Sequence, residues 1–442
     1  MTTPATWQNW SGRVRSTPVR VARPGDAAEV AQTVKTAVQE GHRVKAIGSS
    51  HSFSEIAAAD GVQVRLDRLD RLHHVDRESG LVTVGAGIPL HRLTPQLAWH
   101  GLAMENLGDI DRQTVAGATS TSTHGTGGRF GGIATQIRAL ELVLADGSVV
   151  STSAEEQPEL LELARVGLGA LGIITAITLQ CVPQFALHVV DEPMPLERVL
   201  EELDALVEDN DHFEFFWFPY TDTALTRRFR RLPGDADLAP LGRLAHWFDE
   251  AVVTNVGWDA LLRVATRRPS LVPRVNRIVT GALSRREYID LAHRVFASRR
   301  DVRFDEGEYA FPRHRFREVF GEIRSLLGTL DHPVAIPFEC RFVAADDIPM
   351  APTYQRPSAY IAFHQYHSMP HEALFNAVED VFAAVDGRPH WGKMHRLGAD
   401  ELKQLYPRFA DFVALRNQLD PTGVFTNDYL DRVLGPPPGA TR

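Results

Sequence analysis

Ala46-Ile47-Gly48-Ser49-Ser50-His51-Ser52-Phe53 is the stretch from which the rest of the chain can be worked out. Its small residues let successive backbone N–H groups close on an anion. Such a nest suits the pyrophosphate of a dinucleotide where no Rossmann glycine fingerprint exists. A second run of small residues, Ser122-Thr123-His124-Gly125-Thr126-Gly127-Gly128, repeats the pattern further along. Upstream, Val19-Arg20-Val21 reads as a strand, and Pro24-Gly25-Asp26 opens a helix with Val30, Val34 and Val38 on one face. Gly41 ends that helix, and Arg43 to Ile47 is the next strand, so His51 lies on the exit loop of a strand-helix-strand unit. Exit loops of this kind are favoured ligand positions in α/β layers.

Short strands follow at Val62 to Leu66 and Leu81 to Val84, and Leu140 to Leu144 runs into the hairpin turn Ala145-Asp146-Gly147-Ser148. Beyond Cys181-Val182-Pro183 the pattern changes: alternation such as His212-Phe213-Glu214-Phe215-Phe216-Trp217-Phe218 predicts a large antiparallel sheet. Amphipathic helices are expected around Leu196 to Leu206 and from His371 to Ala384. Arg227-Arg228-Phe229-Arg230-Arg231 reads as a solvated strand end and loop, and Pro436-Pro437-Pro438-Gly439 as a disordered tail. The expected fold class is α+β. Residues 1–183 would form a ligand-binding domain and 184–420 a sheet-and-helix domain, with 421–442 a terminal segment.

The chain has 442 residues, 44% hydrophobic and 23% charged, and carries 47 basic against 56 acidic side chains for a net charge of −9. That balance lacks the basic excess of a nucleic-acid binder, so nucleic acid is not expected as a partner. The two cysteines, Cys181 and Cys340, cannot build a disulfide framework or a cysteine zinc site. Met1-Thr2-Thr3-Pro4-Ala5-Thr6-Trp7 lacks the features of a secretory signal, and no apolar run approaches a membrane span. The expected location is cytoplasmic, with a peripheral membrane association left open and oligomeric state not indicated.

Two segments of the second half carry polar residues where a wall is expected. In Ile336-Pro337-Phe338-Glu339-Cys340-Arg341-Phe342, alternation puts Ile336, Phe338, Cys340 and Phe342 on one face and Glu339 with Arg341 on the other. In Tyr360 to Tyr366 it puts His364 and Tyr366 beside Ala362, and Pro389-His390-Trp391-Gly392-Lys393 offers a lysine after a tight glycine. Together they suit a polyhydroxylated substrate: a carboxylate for hydroxyls, two cations for an alkoxide and a histidine for a proton. The pattern alone leaves a second reading open, in which Glu339 and Arg341 form a solvated ion pair and His364, Lys393 and His51 have ordinary packing roles. No metal is expected, because His364 and His367 have no companion ligand in register.

Gly48 to Phe53, Glu105-Asn106-Leu107-Gly108-Asp109-Ile110, Ala116-Gly117-Ala118, Thr123 to Gly127, Gly169 to Ile174, Glu339-Cys340-Arg341, His390-Trp391-Gly392-Lys393 and Asn427-Asp428-Tyr429 occur in this order across nearly the whole chain. In this set the chain resembles the vanillyl-alcohol-oxidase-type flavoproteins, and within them the aldonolactone oxidoreductases that make ascorbate-type products. The resemblance implies a two-domain fold with an N-terminal FAD-binding domain and a C-terminal antiparallel sheet covered by helices. It also implies that the segment around Asn427 to Tyr429 returns to pack on the first domain.

Carried residue by residue, the resemblance makes His51 the attachment point of covalent FAD. Ala46, Ile47, Gly48, Ser49, Ser50 and Ser52 would cradle the pyrophosphate. Thr114, Gly117, Thr121, His124, Gly125 and Gly127 would line the other side, and Ile174 would offer its backbone to the adenine. Gly108 and Asp109 would lie near the flavin edge, where glycine permits access of O2. Glu339, Arg341, His364 and Lys393 would be catalytic, with Glu339, Arg341, Tyr366 and Lys393 meeting the substrate. His364-Gln365-Tyr366 favours a sugar lactone over a linear polyol, and Asp211 to Tyr220 is similar to actinobacterial gulonolactone dehydrogenases. L-gulono-1,4-lactone is therefore the favoured substrate, with O2 or a cytochrome or quinone as acceptor. An alditol oxidase and a flavin-binding protein without turnover are the competing readings.

Overall fold

A computed structural model describes residues 6–242, 257–297 and 302–439. The strand-helix-strand unit is present: Arg20–Ala22, Val62–Arg65 and Val44–Ile47 form a parallel sheet with Val62–Arg65 in the middle. The intervening helix Ala27–Gln39 starts where Asp26 accepts a hydrogen bond from the Glu29 backbone N–H, a standard N-cap. Its buried residues are Val30, Ala31, Val34 and Ala37, whereas Val38 is exposed. The expected stripe was one residue off, because position i+7 falls closer to i on a 3.6-residue helix than position i+8.

Five antiparallel strands form a second sheet in the order Val149–Ser153, Ile137–Val143, Ile173–Gln180, Leu81–Gly85 and Leu72–Val75. The predicted hairpin joins the first two, with Gly147 in the left-handed conformation at φ 75°.

The second half contains the large antiparallel sheet, eight strands in the order Arg286–Leu291, Phe185–Pro195, Thr223–Pro233, His212–Trp217, Phe338–Val343, Ser358–Tyr366, Phe304–Pro312 and Arg388–Pro389. Its rear face is apolar. Phe213, Phe215, Phe338, Cys340, Phe342, Ile361 and Phe363 pack in one cluster with Phe316, Phe320 and Ile323 of helix Phe316–Leu326 and Val378 and Phe382 of helix Glu372–Ala383. The helix expected over Leu196 to Leu206 is two short ones, Leu196–Glu201 and Leu203–Glu208, separated at Glu202.

Two expectations are corrected. Arg227 to Arg231 is not a solvated end but the middle of the long strand Thr223–Pro233. Arg227 lies between Asp191 and Glu214, Arg228 pairs with Glu192, and the Arg231 guanidinium sits over the rings of Phe130 and Phe185. Carboxylates of neighbouring strands neutralise Arg227 and Arg228, rings cover Arg231, and Arg230 alone of the four arginines is exposed. The proline run Pro436 to Gly439 is not a loose tail either: Pro437 is buried and the Gly439 N–H donates to the Pro421 carbonyl at 3.0 Å. Residues 440–442 lie outside the described residues.

The C-terminal segment is strapped to the first sheet. The Val44 N–H donates to Val424 O at 2.7 Å, and Lys45 Nζ donates to Phe425 O at 3.1 Å. Asn427 caps helix Asp428–Leu434 by accepting from the Leu430 N–H. Its amide donates to the carbonyls of Glu55, Ile56 and Ala58 at 3.0, 3.2 and 2.9 Å. Asn427→Ala removes the cap and the shared donor together. We expect a loss of about 2–4 kcal/mol, read as a lower denaturant midpoint with unchanged slope.

Candidate functional site

A cleft of about 800 Å³, including its open mouth, runs between the parallel sheet and the five-stranded sheet. Lys45 to Ser52 form one wall, Gln113 to Thr121 another and Leu168 to Ile174 a third. Of the residues expected to bind a cofactor, Ala46, Ile47, Gly48, Ser49, Ser50, His51, Ser52, Thr114, Gly117, Thr121 and Ile174 all line it. Most of the lining residues are Gly, Ala, Ser or Thr. Ser50, Leu168 and Gly169 take left-handed φ values of 64°, 55° and 63°, the geometry that turns consecutive N–H groups inward. Gly48 lies so close to Thr114 that a Cβ would stand 2.3 Å from its Oγ1. A cradle of turned backbone with small side chains fits a dinucleotide such as FAD.

The nest is braced from the N-terminus, which the sequence pattern did not reveal. Trp7 Nε1 donates to Ser50 Oγ at 2.9 Å, Asn9 Nδ2 donates to Ser52 O at 3.0 Å, and the Trp10 ring lies 6.1 Å from that of His51. The Phe53 N–H donates to Gly392 O at 2.6 Å and Ser54 Oγ to Trp391 O at 2.9 Å. His51 is thereby joined to the His-Trp-Gly-Lys element. Burial, then the positive charges of Lys393 and Arg112, push its pKa down to about 4. At neutral pH its ring is an uncharged imidazole with a lone pair.

Gly108, Asp109, His124, Gly125 and Gly127 do not line the cleft. They pack between it and the front of the large sheet. A Cβ on Gly125 would stand 2.1 Å from Leu107 O, and the Gly127 N–H donates to Phe342 O at 2.7 Å. Gly125 thus allows two loop segments to meet, and Gly127 allows the loop to meet a strand of the large sheet. Buried Asn106 holds the same loop by donating to Thr126 O and Gly131 O, both at 3.3 Å.

The front of the large sheet carries the polar residues, and register brings them together. Arg341 pairs with Glu214 on one side and Tyr360 on the other, Glu339 and Glu308 flank Ala362, and Glu306 opposes His364. Glu339 and Arg341 are only 3% and 6% exposed, which excludes the solvated-pair reading. Arg341 is ion-paired with Glu339, with Glu214 at 3.2 Å and with Asp109 at 3.3 Å. Burial alone would lower its pKa, but these carboxylates outweigh it and hold the guanidinium charged.

Lys393 Nζ lies 2.5 Å from Glu306 Oε2 and 4.9 Å from the centre of the Phe53 ring. His364 meets Pro337 O through Nδ1 at 3.0 Å and faces Glu306 Oε1 through Nε2 at 3.5 Å. Tyr366 shares this strand, but its hydroxyl donates to Asp259 Oδ1 at 2.8 Å, which keeps it from the cluster around Arg341 and Lys393.

Sequence reasoning passed over Glu306 and Glu308. Burial would raise both pKa values. Lys393 and His364 hold Glu306 low instead, and His124 above all holds Glu308 low. The available signal was two glutamates two residues apart in Phe304-Asp305-Glu306-Gly307-Glu308-Tyr309, a strand pattern framed by aromatics.

His124, Glu308 and His390 hold ligand-type atoms within 4.8 Å of one another. His390 Nδ1 accepts the Gly392 N–H at 3.0 Å, which leaves the ring hydrogen on Nε2 and no free lone pair for a cation. His124 bonds Gly125 O through Nδ1 at 2.9 Å, faces Glu308 through Nε2 at 3.3 Å and stacks on Tyr360 at 3.7 Å. The His390 backbone N–H donates to Glu308 O at 3.0 Å, so strand pairing and one His124–Glu308 contact account for the trio.

Cleft and polar sheet face together define a flavin-dependent oxidoreductase of the vanillyl-alcohol-oxidase fold. Residues 18–153 match the model of an FAD binding domain, and residues 177–433 match that of D-arabinono-1,4-lactone oxidase. The chain is 45% identical to L-gulono-1,4-lactone dehydrogenase of Mycobacterium tuberculosis, over 97% of this chain and 99% of that one. It is 35% identical to L-gulonolactone oxidase of Bos taurus, over 97% and 98%, and 32% identical to alditol oxidase of a Streptomyces species, over 96% and 98%. Cholesterol oxidase of Brevibacterium sterolicum shares the fold, with a TM-score of 0.80 at 16% identity over 98% of this chain and 97% of that one. This protein belongs to the D-arabinono-1,4-lactone oxidase family of FAD flavoproteins. Among the described residues no helix is long and apolar enough to cross a membrane.

Arg341→Met would leave Asp109, Glu214 and Glu339 without their shared counter-charge. We expect a loss of about 3–5 kcal/mol, measured as a fall in the unfolding midpoint of the purified protein.

Proposed function

We propose that this protein oxidises the C2 hydroxyl of a sugar 1,4-lactone, with L-gulono-1,4-lactone favoured over the galactono and arabinono lactones, to an ascorbate-type product. The carrying observation is that Glu339, Arg341 and His364 share one buried sheet face, which Lys393 reaches through Glu306 from a loop fastened to the segment bearing His51. The gulonolactone names of relatives aligned over 97% of the chain support the same substrate class. Bound FAD supplies a two-electron acceptor for the hydride leaving C2.

The chain's own residues do the rest. Glu339 accepts hydrogen bonds from substrate hydroxyls and fixes the ring. Arg341 and Lys393 offset the negative charge that grows on the reacting oxygen. His364 receives the hydroxyl proton, and the 2-keto lactone then enolises unaided. Tyr366, with its hydroxyl held by Asp259, contributes at most an edge of the substrate pocket. Rates on xylitol and sorbitol that exceed those on gulonolactone would instead make it an alditol oxidase. A bound flavin that no lactone or polyol bleaches would make it a binding protein without turnover.

His51 is proposed to carry FAD covalently, a role to which its neutral ring, partly buried in the cleft, is suited. Acid precipitation of the native protein should leave the colour in the pellet, on the His51 peptide. His51→Ala should release it to the supernatant.

The electrons pass to O2 or to a cytochrome or quinone acceptor. A Cβ at Gly108 would stand 3.2 Å from His124 O and from Thr123 Cγ2, so a methyl fits with a displacement of a few tenths of an ångström. Gly108→Ala is expected to slow air reoxidation severalfold while anaerobic reduction by gulonolactone keeps its rate. Equal losses in both half-reactions would remove Gly108 from the oxygen path. Both cysteines are free and buried, which supports a reducing, cytoplasmic setting.

A further inference from the structure

Glu306 has no task in the reaction just described, yet it touches two of its residues. It stands opposite His364 across the strand pair Phe304–Pro312 and Ser358–Tyr366 and is 5% exposed. One carboxylate oxygen meets Lys393 Nζ at 2.5 Å, and the other faces His364 Nε2 at 3.5 Å. Each partner is also held from behind. His364 Nδ1 is tied to Pro337 O at 3.0 Å, and the Lys393 backbone N–H donates to His390 O at 2.9 Å. Glu308, next on the same face, is engaged with His124 at 3.3 Å and so is committed elsewhere.

Lys393 ends a flexible four-carbon stem that leaves a loop, whereas His364 is fixed on a central strand. An ammonium at the end of such a stem stabilises a developing charge only if it is held where that charge appears. A mostly buried ammonium also needs a counter-charge. Glu306 meets both needs with one carboxylate.

We propose that Glu306 is the positioning residue of this site, fixing Lys393 relative to His364 and balancing the Lys393 charge until a substrate hydroxyl engages it. This rests on the reading of Lys393 and His364 as the residues that act on the substrate oxygen. Glu306→Gln keeps the shape and removes the charge. In the flavin-loaded protein it should lower kcat on the order of 100-fold and leave KM for gulonolactone within about threefold, the signature of misplacement rather than lost binding. It should also move the reduction potential of the bound flavin to a more positive value, because one negative charge is lost beside the site.

Lys393→Met should be as slow as the Glu306→Gln/Lys393→Met double variant, since Glu306 then has nothing left to hold. Additive losses in that cycle, or a native potential and a kcat within about twofold of native in Glu306→Gln, would overturn the proposal. If Glu306→Gln does not fold, Glu306→Asp serves: it keeps the charge and shortens the reach, so kcat should fall while the potential stays native. A native kcat in Glu306→Asp, or a shifted potential, would overturn it as well. The potential is measured by dye-mediated reduction without substrate. A protein that oxidises no lactone would therefore sink the proposed substrate and leave the positioning role testable.

Discussion

The structure depends on how one buried guanidinium is balanced. Arg341 lies in the middle of the large sheet, where removal from water is costly for a charge, and three carboxylates surround it: Glu339 on its own strand, Glu214 on the next and Asp109 from the first half of the chain. Glu214 is shared with Arg227, which in turn holds Asp191, so alternating charges cross four neighbouring strands. Asp109 makes this row a joint between halves as well as a feature of one sheet. A cation held by all three partners keeps the loop bearing Asp109 in place, and with it the front face that carries Glu339 and His364.

The rest of the front face follows the same rule. The rear of the sheet is an aromatic core that needs no polar partner, whereas the front can be buried only if something answers its polar groups. The segment from Asn106 to Gly132, which includes the helix Val115–Ser120, does so. Thr126 Oγ1 bonds the Phe213 carbonyl, His124 meets Glu308, and the Gly127 N–H meets Phe342 O. The glycines there allow the contact distance, Gly125 against Leu107 O and Gly127 against Phe342 O. At the other end of the cleft, Trp7, Asn9 and Asn427 brace the nest and its following turn with side-chain hydrogen bonds over long sequence separations.

Much of this was legible in the residues. Alternation separated Phe338, Cys340 and Phe342 from Glu339 and Arg341, and the nest lies on the loop that the strand-helix-strand reading assigned it to. The failures have physical causes. Val38 was favoured over Ala37 because hydrophobicity was weighed above angular position on the helix. Arg227 to Arg231 looked solvated because the neutralising Asp191, Glu192 and Glu214 come from other strands. Glu306 and Glu308 were passed over because two glutamates in a strand look like surface until a lysine and two histidines are brought to them by folding.

The sequence by itself determined most of the local conformations, the two faces of the strand bearing Glu339 and Arg341, the small-residue nest with its histidine and the family to which the motifs belong. Backbone sterics and side-chain periodicity act over a few residues and can be read there. Only the tertiary structure decided which charge answers which, which predicted residues reach the cleft and that one carboxylate joins Lys393 to His364. Those outcomes depend on register between distant strands, on which loops fold against them and on burial, since a charge becomes a constraint only after water has been removed from around it.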